Sequence, residues 1–464
     1  MRLEGDRLLD APLQRAVRLG ERDRQLAAAL RQPQTFDALR ARFGADIGAR
    51  LTALARLYLL AGPRSRARLA LESEKRRFLT VPLRPAAVAL HWPDGIDPPR
   101  HGCVGTGTCC SASFLGPITP ADRSRVAALS LGTLGDGERF ESRLFHGKTV
   151  WGMARLASGQ CALQTAELRC AVHAEHGAAA KPVPCRQFPL RFHRSPEGVH
   201  VSLLLACDGY DLARDAAQPW PQREAEVRDL LAAEASILAL HLPVSLSAGL
   251  PVPFARWRLL RAACLAAEPA EPDPLAWLAT VRALAAAAEA ARAAELAEGP
   301  EIRWASALAV AGEDSATRLG SAAAAATAAA ELREGAAQLA GAARPGDARR
   351  LRDLAAGLQH LEQPLPTQTR AGRQLQDIVA NDLPAHVLLG ELDVGLTSLA
   401  QRVRVAAGVA TALALAANRR EISAADTTRA LHVVARSPAE LAWLQGIGTP
   451  RGQEVVVAGS GTVP

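Results

Sequence analysis

The sequence predicts a mainly α protein in which a small, irregular cysteine-rich domain lies between two helical regions. Three observations support this fold class. Apolar residues recur at helical spacing near the N-terminus, seven of the eight cysteines lie between positions 103 and 207, and the chain beyond position 216 is rich in alanine. We therefore expect a helical module over residues 1–80, a cysteine-cluster domain over 81–215 and an Ala-rich helical region over 216–464.

The composition is that of a globular protein. Apolar residues make up 49% of the 464 residues and charged residues 22%, proportions that exclude disorder of the whole chain. The formal net charge is +7, and the first eighty residues carry 17 basic and 9 acidic side chains. Because the basic residues are almost all arginine and alanine is very abundant, we attribute this excess to a compositional bias and do not expect nucleic-acid binding.

The sequence contains no segment typical of secretion or membrane insertion. It starts with the charged stretch MRLEGDRLLD, which lacks the apolar core of a signal peptide. The longest largely apolar run near the C-terminus, 405–417, is too short to span a bilayer. We therefore expect a cytoplasmic protein without a membrane span.

Residues 1–80 are expected to be helical. Leucine and phenylalanine recur every three or four residues over 26–60, the spacing of amphipathic helices with one buried face. Thr35 is the expected N-cap of one helix. The next helix is expected to begin after Asp46 and to end at Gly62. This rhythm of two helices and a short turn resembles a small winged-helix module.

Several shorter elements are expected around the cysteine segment. Residues 64–80 carry six basic side chains and should form a solvated helical connection, and five prolines over 82–99 predict an irregular lead-in. The sequence TPAD at 119–122 has the order of an N-cap, a first-turn proline and a capping acid, which predicts the start of a helix. Residues 199–205 are expected to form a strand that leads to Cys207.

Cysteine is concentrated in the segment from His101 to Tyr210. A long chain without a secretory signal is not expected to hold stable disulfides, so metal ligation is the preferred explanation. Thiolates suit zinc, copper(I) and iron-sulfur clusters, whereas magnesium would need carboxylate oxygens. The candidate metal ligands are Cys103, Cys109, Cys110, Cys161, Cys170, Cys185, His173 and Cys207.

The spacing of neighbouring residues indicates how some of these candidate ligands would bind a metal. Two residues separate Cys170 from His173, which lets one turn present both side chains to an ion. The adjacent Cys109 and Cys110 cannot easily bind one ion together, so either one ligates while the other packs or the two serve different metals. For Arg186 two interpretations stay open: hydrogen bonds towards cluster sulfurs or an anionic ligand, and an ordinary salt bridge.

The chain beyond residue 216 is expected to be helical. Cys264 should be a thiol in the core of one of these helices. Two Ser-x-x-acid capping boxes, at 423–426 and 437–440, predict two further helices near the end, and the Gly-rich tail from Gly446 is expected to be flexible. The other helices are predicted at 230–242, 257–267, 277–296 and 321–339.

At its cysteines the sequence resembles the YkgJ-type cysteine-cluster family, described as a zinc- or iron-chelating domain that also occurs in flagellin lysine-N-methylases. The most specific match is Pro-x-x-Cys-Arg-x-Phe-Pro, at 182–189. Thr106 stands where the family has the second cysteine of its opening block, which removes one thiolate unless His101, His173 or Cys207 replaces it. The matching residues are Cys103, Gly107, Cys109, Cys110, Gly159, Cys161, Cys170, Pro182, Cys185, Arg186, Phe188 and Pro189.

The resemblance implies two kinds of function. The first is a metal-binding protein that holds zinc, iron or an iron-sulfur cluster in a structural, redox or metal-handling role. The alternative is a protein lysine N-methyltransferase that uses S-adenosylmethionine and acts on a protein partner such as flagellin. The sequence has no Walker loop, nucleophile elbow, His-Glu-x-x-His or clear glycine-rich site for S-adenosylmethionine, so we prefer metal binding.

Overall fold

Helices predominate in the structure, with small sheets between them, as expected for a mainly α protein. The structure is a computed structural model. It describes residues 2–4, 7–10, 15–56, 63–93, 100–107, 117–132, 137–145, 148–156, 160–205, 207, 209–210, 213, 215, 217–233, 235–240, 242–247, 250–298, 365–386, 392–435 and 456–457.

The described helices and strands are numbered in chain order. The helices are α1 (Glu21–Ala29), α2 (Phe36–Phe43), α3 (Ile47–Arg56), α4 (Pro63–Thr80), α5 (Pro120–Ala127), α6 (Ala171–His176), α7 (Val183–Gln187), α8 (Glu224–Ala232), α9 (Phe254–Ala266), α10 (Pro274–Glu298), α11 (Thr369–His386), α12 (Leu392–Ala416) and α13 (Ala424–Ala435). The strands are β1 (Arg2–Glu4), β2 (Arg7–Asp10), β3 (Arg15–Arg18), β4 (Leu90–His91), β5 (Phe140–Phe145), β6 (Lys148–Met153), β7 (Leu190–Ser195), β8 (Gly198–Leu203), β9 (Ser236–Ala239), β10 (Val244–Ser245), β11 (Pro251–Val252) and β12 (Val456–Val457).

The N-terminal module begins with a sheet that the sequence analysis did not anticipate. Strands β1, β2 and β3 form an antiparallel meander before the first helix, so residues 1–80 are not helical throughout. A short sequence pattern could have indicated this sheet. Gly5 and Asp6 separate the residues of β1 from those of β2, and such a pair is typical of two-residue hairpin turns.

Helices α1 to α3 complete this module around a small core. Thr35 is the N-cap of α2, as predicted, because its Oγ1 accepts the Ala38 N–H at 3.2 Å. The start of α3 after Asp46 is also confirmed, while its predicted end falls on 57–62, outside the described residues. The buried side chains of the core are Leu19, Leu26, Leu39, Phe43, Ile47 and Leu54.

A five-stranded mixed sheet connects the cysteine segment with the C-terminal part of the chain. Its strand order is β12-β9-β7-β8-β4. The hairpin β7–β8 is antiparallel, and β4 and β9 run parallel to their neighbours in that hairpin. The strand predicted at 199–205 is therefore confirmed as β8, and the cysteine segment carries more strands than its irregular composition suggested.

The helix predicted at 230–242 is wrong beyond its first three residues. Helix α8 ends at Ala232, and Ser236–Ala239 is strand β9. Ile237 lies beside Phe192 of β7 and is only 3% exposed. A short apolar run that is covered on both faces packs equally well as a strand, and periodicity alone does not distinguish the two. The hairpin β10–β11 also falls in the region expected to be helical.

The main hydrophobic core is shared by this sheet and the C-terminal helices. It extends from Phe78 of α4 to Val434 of α13 and includes both strands of the β7–β8 hairpin. Tyr210 and Trp220, which lie on either side of position 215, are both 2% exposed and belong to it. Residues before and after position 215 therefore pack into one core.

Two of the predicted C-terminal helices and the first of the two capping boxes are present in the structure. Helices α9 and α10 confirm those at 257–267 and 277–296. The first capping box is confirmed, since the Ser423 N–H donates to Asp426 Oδ2 at 2.9 Å and α13 follows it. The predictions for 321–339 and 437–440 lie outside the described residues. No helix in the described part of the chain is long and apolar enough to cross a membrane.

Candidate metal centre

Three of the predicted ligands come together in one apolar cluster, which we call the cysteine core. Cys161 is buried in this cluster, and Cys170 and Cys185 pack against it. The cluster is separate from the main core of the protein. Its other buried members are Ile118, Val126, Leu131, Phe140, Met153, Leu163, Ala171 and Val172.

The loop between Cys161 and Cys170 is held by its own hydrogen bonds. The Cys161 N–H donates to Gln164 Oε1 at 3.1 Å, and the Leu163 N–H approaches Cys161 Sγ at 3.5 Å. Isolated bridges join Cys161 to Arg155 and Cys170 to Gln164. Hydrogen bonds to a cysteine sulfur are typical outer contacts of thiolate ligands.

The first cysteine block rests on the same loop through Gly107. Gln164 Nε2 donates to the carbonyl oxygens of Gly107, at 3.1 Å, and of Leu168, at 3.2 Å. Gly107 has φ of 68°, and a Cβ at this position would lie 2.3 Å from both Gln164 Nε2 and the Leu168 oxygen. Only glycine fits such an approach. Cys109 and Cys110, the second and third residues after Gly107, lie outside the described residues.

Cys185 is positioned by contacts between α5 and α7. Thr119 is the N-cap of α5, as predicted. The carboxylate of Asp122, however, does more than start this helix, because it accepts the Val183 N–H at 2.7 Å. Arg125 pairs with Asp122 and donates to the Lys181 carbonyl at 3.0 Å. These bonds hold the start of α7 against α5.

Arg186, the neighbour of Cys185, has a buried guanidinium nitrogen without a partner. Its Nε is inaccessible to solvent and makes no hydrogen bond within the described structure. A buried N–H of this kind is costly unless an acceptor satisfies it. This side chain therefore places a buried hydrogen-bond donor beside Cys185.

A second pair of candidate ligands lies at the two ends of the cysteine segment. His101 Nε2 and Cys207 Sγ are 3.2 Å apart, and both side chains are buried. The imidazole of His101 lies parallel to the Trp220 ring, with 6.3 Å between the ring centroids. Burial, together with the positive charges of Arg223 and Lys181, lowers the pKa of His101 to about 4, so the imidazole is neutral near pH 7.

Two further predicted ligands, His173 and Cys103, are described and lie outside both groups. Cys170 is the N-cap residue of α6 and faces the cysteine core, whereas His173 lies exposed on the same helix. Burial and the charge of Lys181 lower the pKa of His173. Cys103 is exposed on the segment that follows His101. Cys264 is a buried thiol of α9, as predicted, and burial raises its pKa to about 12.

Within the described residues, no three or more His, Cys, Asp or Glu side chains lie close enough together to hold a metal ion. The cysteine core and the His101–Cys207 pair thus supply soft donors in two groups. Neither group is by itself a complete three-ligand site. The donors fit a thiophilic metal rather than magnesium or calcium, which need several oxygen ligands.

The contacts that position these donors could not be found from local patterns. Gln164 and Asp122 act on residues more than fifty positions away. Tyr210, three positions after Cys207, donates its hydroxyl to the carboxylate of Asp377 in α11. A partly buried ion network, in which Glu197 pairs with two arginines of α9, was likewise not predicted.

Comparisons with protein-family models, with curated proteins and with solved structures found no match for this chain. The resemblance to the YkgJ-type family therefore stays a prediction.

Proposed function

We propose that the segment from His101 to Tyr210 binds a thiophilic metal, zinc or iron, in a structural, redox or metal-handling role. The observation that supports this most directly is the cysteine core. Cys161, Cys170 and Cys185 come from distant positions and share one small cluster. Such clustering is expected of cysteines that bind a common group and is not required for ordinary core packing.

The opening cysteine block would supply the remaining ligands to this core. Gly107 is bound to the Cys161–Cys170 loop through Gln164, and Cys109 and Cys110 are the second and third residues after Gly107. In this proposal one or both of these cysteines complete the site. The buried Nε–H of Arg186 would then donate to a metal-bound sulfur or to an anionic ligand.

Zinc and iron would contribute differently when bound. Zinc would tie the segments of the cysteine core together without redox chemistry, whereas an iron-sulfur cluster would also carry electrons. In either case the residues of the chain hold the group: the thiols ligate, Gln164 fixes the loop, and Asp122 holds α7 in place. Because the ligands are far apart in sequence, binding should also stabilise the fold.

The first test is the metal and acid-labile sulfide content of the full chain, purified without oxygen and without added metal. Stoichiometric zinc in a colourless sample would support a structural or binding role. Iron with sulfide and a brown charge-transfer band would support a cluster. In the latter case methyl transfer to a partner such as flagellin, the alternative implied by the resemblance, is the next activity to assay. A protein without metal under these conditions would contradict the proposal.

A matched pair of variants tests the site itself. Cys185→Ser should weaken metal binding by at least about tenfold, since the loss of even an outer-shell partner costs that much. Cys264→Ser is the control, because this thiol is buried in α9 within the main core and does not belong to the cysteine core. We expect the control to bind metal as the wild type does. Equal metal content in both variants would refute the role of Cys185.

A further inference from the structure

The His101–Cys207 pair is built from a different part of the fold than the cysteine core. Its neighbours Leu205, Tyr210 and Trp220 belong to the main core, which also contains the β7–β8 hairpin. The pair joins the first residues of the cysteine segment to the last, 106 positions apart.

The distance between the two side chains suits ligands of one ion. A metal–sulfur bond of about 2.3 Å and a metal–nitrogen bond of about 2.0–2.1 Å at a tetrahedral angle place the two ligand atoms about 3.5 Å apart. His101 Nε2 and Cys207 Sγ are 3.2 Å apart. A shift of a few tenths of an ångström would bring them to that separation.

Trp220, Arg223 and Gly209 together define the position of the imidazole. The imidazole is stacked on the Trp220 ring, and the guanidinium carbon of Arg223 lies 3.9 Å from the centroid of that Trp220 ring. Arg223 also donates to the His101 carbonyl at 3.0 Å. Finally, a Cβ on Gly209 would lie 2.9 Å from His101 Nε2, so the glycine allows the close approach.

We propose that His101 and Cys207 are two ligands of one metal ion, bound through the imidazole nitrogen and the thiolate sulfur. The inference rests on the proposed metal-binding function and assigns a nitrogen ligand to it. Cys103 lies two residues after His101, and it is the nearest further thiol along the chain. The expected site is therefore a mixed nitrogen and sulfur site rather than an all-sulfur one.

The test uses the full chain purified without oxygen, with X-ray absorption at the edge of the bound metal. The wild type should show a nitrogen ligand at about 2.0–2.1 Å beside the sulfur ligands. His101→Gln should lose this nitrogen and bind the metal at least about tenfold more weakly. The control is His193→Gln, since His193 is also buried but lies in strand β7, where its Nε2 is 3.2 Å from Ser202 Oγ of β8.

A second variant keeps the inference testable if His101→Gln does not fold. His101→Cys restores a soft donor at the same position, so it should retain the metal while one nitrogen ligand is replaced by sulfur. Trp220 provides an independent signal, because its ring is stacked on the imidazole. Metal addition should quench a part of the fluorescence that is absent from Trp220→Phe.

The outcomes separate the inference from the function on which it rests. A wild type without metal would refute both. A wild type with metal but with sulfur ligands alone, or a His101→Gln variant with unchanged ligands and affinity, would refute only the inference. The pair would then be a buried hydrogen bond between a thiol and an imidazole. Loss of nitrogen in His101→Gln, with normal binding in His193→Gln, would support it.

Discussion

Asp122 provides the sharpest test of how Cys185 is held in place. Its carboxylate accepts the Val183 N–H at 2.7 Å and pairs with Arg125. Asp122→Ala leaves this buried amide without an acceptor. A hydrogen bond to a charged group contributes about 1.5–3 kcal/mol, and the pair with the more exposed arginine adds up to about 1 kcal/mol. We therefore expect a local loss of about 2–4 kcal/mol in Asp122→Ala.

Hydrogen exchange at the Val183 amide measures this loss directly. Because about 1.36 kcal/mol corresponds to a factor of ten, exchange in Asp122→Ala should be about 30 to 900 times faster than in the wild type. Asp122→Asn keeps an acceptor oxygen for the same amide and should lose less than half as much. Metal content should follow the same order, with the alanine variant lowest, because Asp122 positions the helix that carries Cys185.

Exchange of the Val183 amide at the wild-type rate in Asp122→Ala would refute this role of Asp122. The role would also be refuted if the asparagine and alanine variants exchanged equally fast, since the hydrogen-bond acceptor would then not be the cause.

Three further predictions concern the surroundings of the candidate site. Gly107→Ala should lower the free energy of unfolding by about 2–3 kcal/mol, because its φ is positive and the hydrogen bond from Gln164 is lost. The control is Gly105→Ala, where φ is 73° and no atom lies within 4 Å of the added Cβ; it should lose only about 1 kcal/mol in the same urea titration. Equal losses in the two variants would contradict the role of the Gly107–Gln164 contact. Burial raises the pKa of Glu197, but hydrogen bonds from a histidine of β8 and an arginine of α9 outweigh burial and lower the pKa to about 2. The folded pKa lies below the unfolded value of 4.5, so ionised Glu197 stabilises the fold fully above pH 4.5, and this stabilisation is lost as the pH falls towards 2. The difference in free energy of unfolding between wild type and Glu197→Gln should therefore shrink from pH 4.5 towards pH 2. A constant difference would argue against the ion pairs. Tyr210→Phe removes a hydroxyl that donates to a carboxylate of α11. It should lower the free energy of unfolding, measured by chemical denaturation, by about 1.5–3 kcal/mol. An unchanged denaturation midpoint would show that this hydrogen bond does not stabilise the fold.

The features that could be predicted have their causes within a few residues. Thr35 and Ser423 cap helices because each hydroxyl accepts an N–H three positions away. The mainly α class follows from helical periodicity over long stretches. The cysteine segment was identifiable because residue type and spacing alone mark soft donors. Where two structures suit the same local pattern, as in β9, the sequence predicted the wrong one, since the neighbouring strand β7 decides between them.

The sequence by itself therefore determined the helical class, the caps and the set of thiols that are available for a metal. Only the tertiary structure decided which of these thiols meet. Gln164 reaches Gly107 across 57 positions, Asp122 reaches Val183 across 61, and His101 meets Cys207 across 106. The physical reason is that a hydrogen bond or a ligand pair depends on the distance between two groups in space. For residues so far apart in the sequence, the packing of the sheet and helices sets that distance, and their spacing along the chain does not.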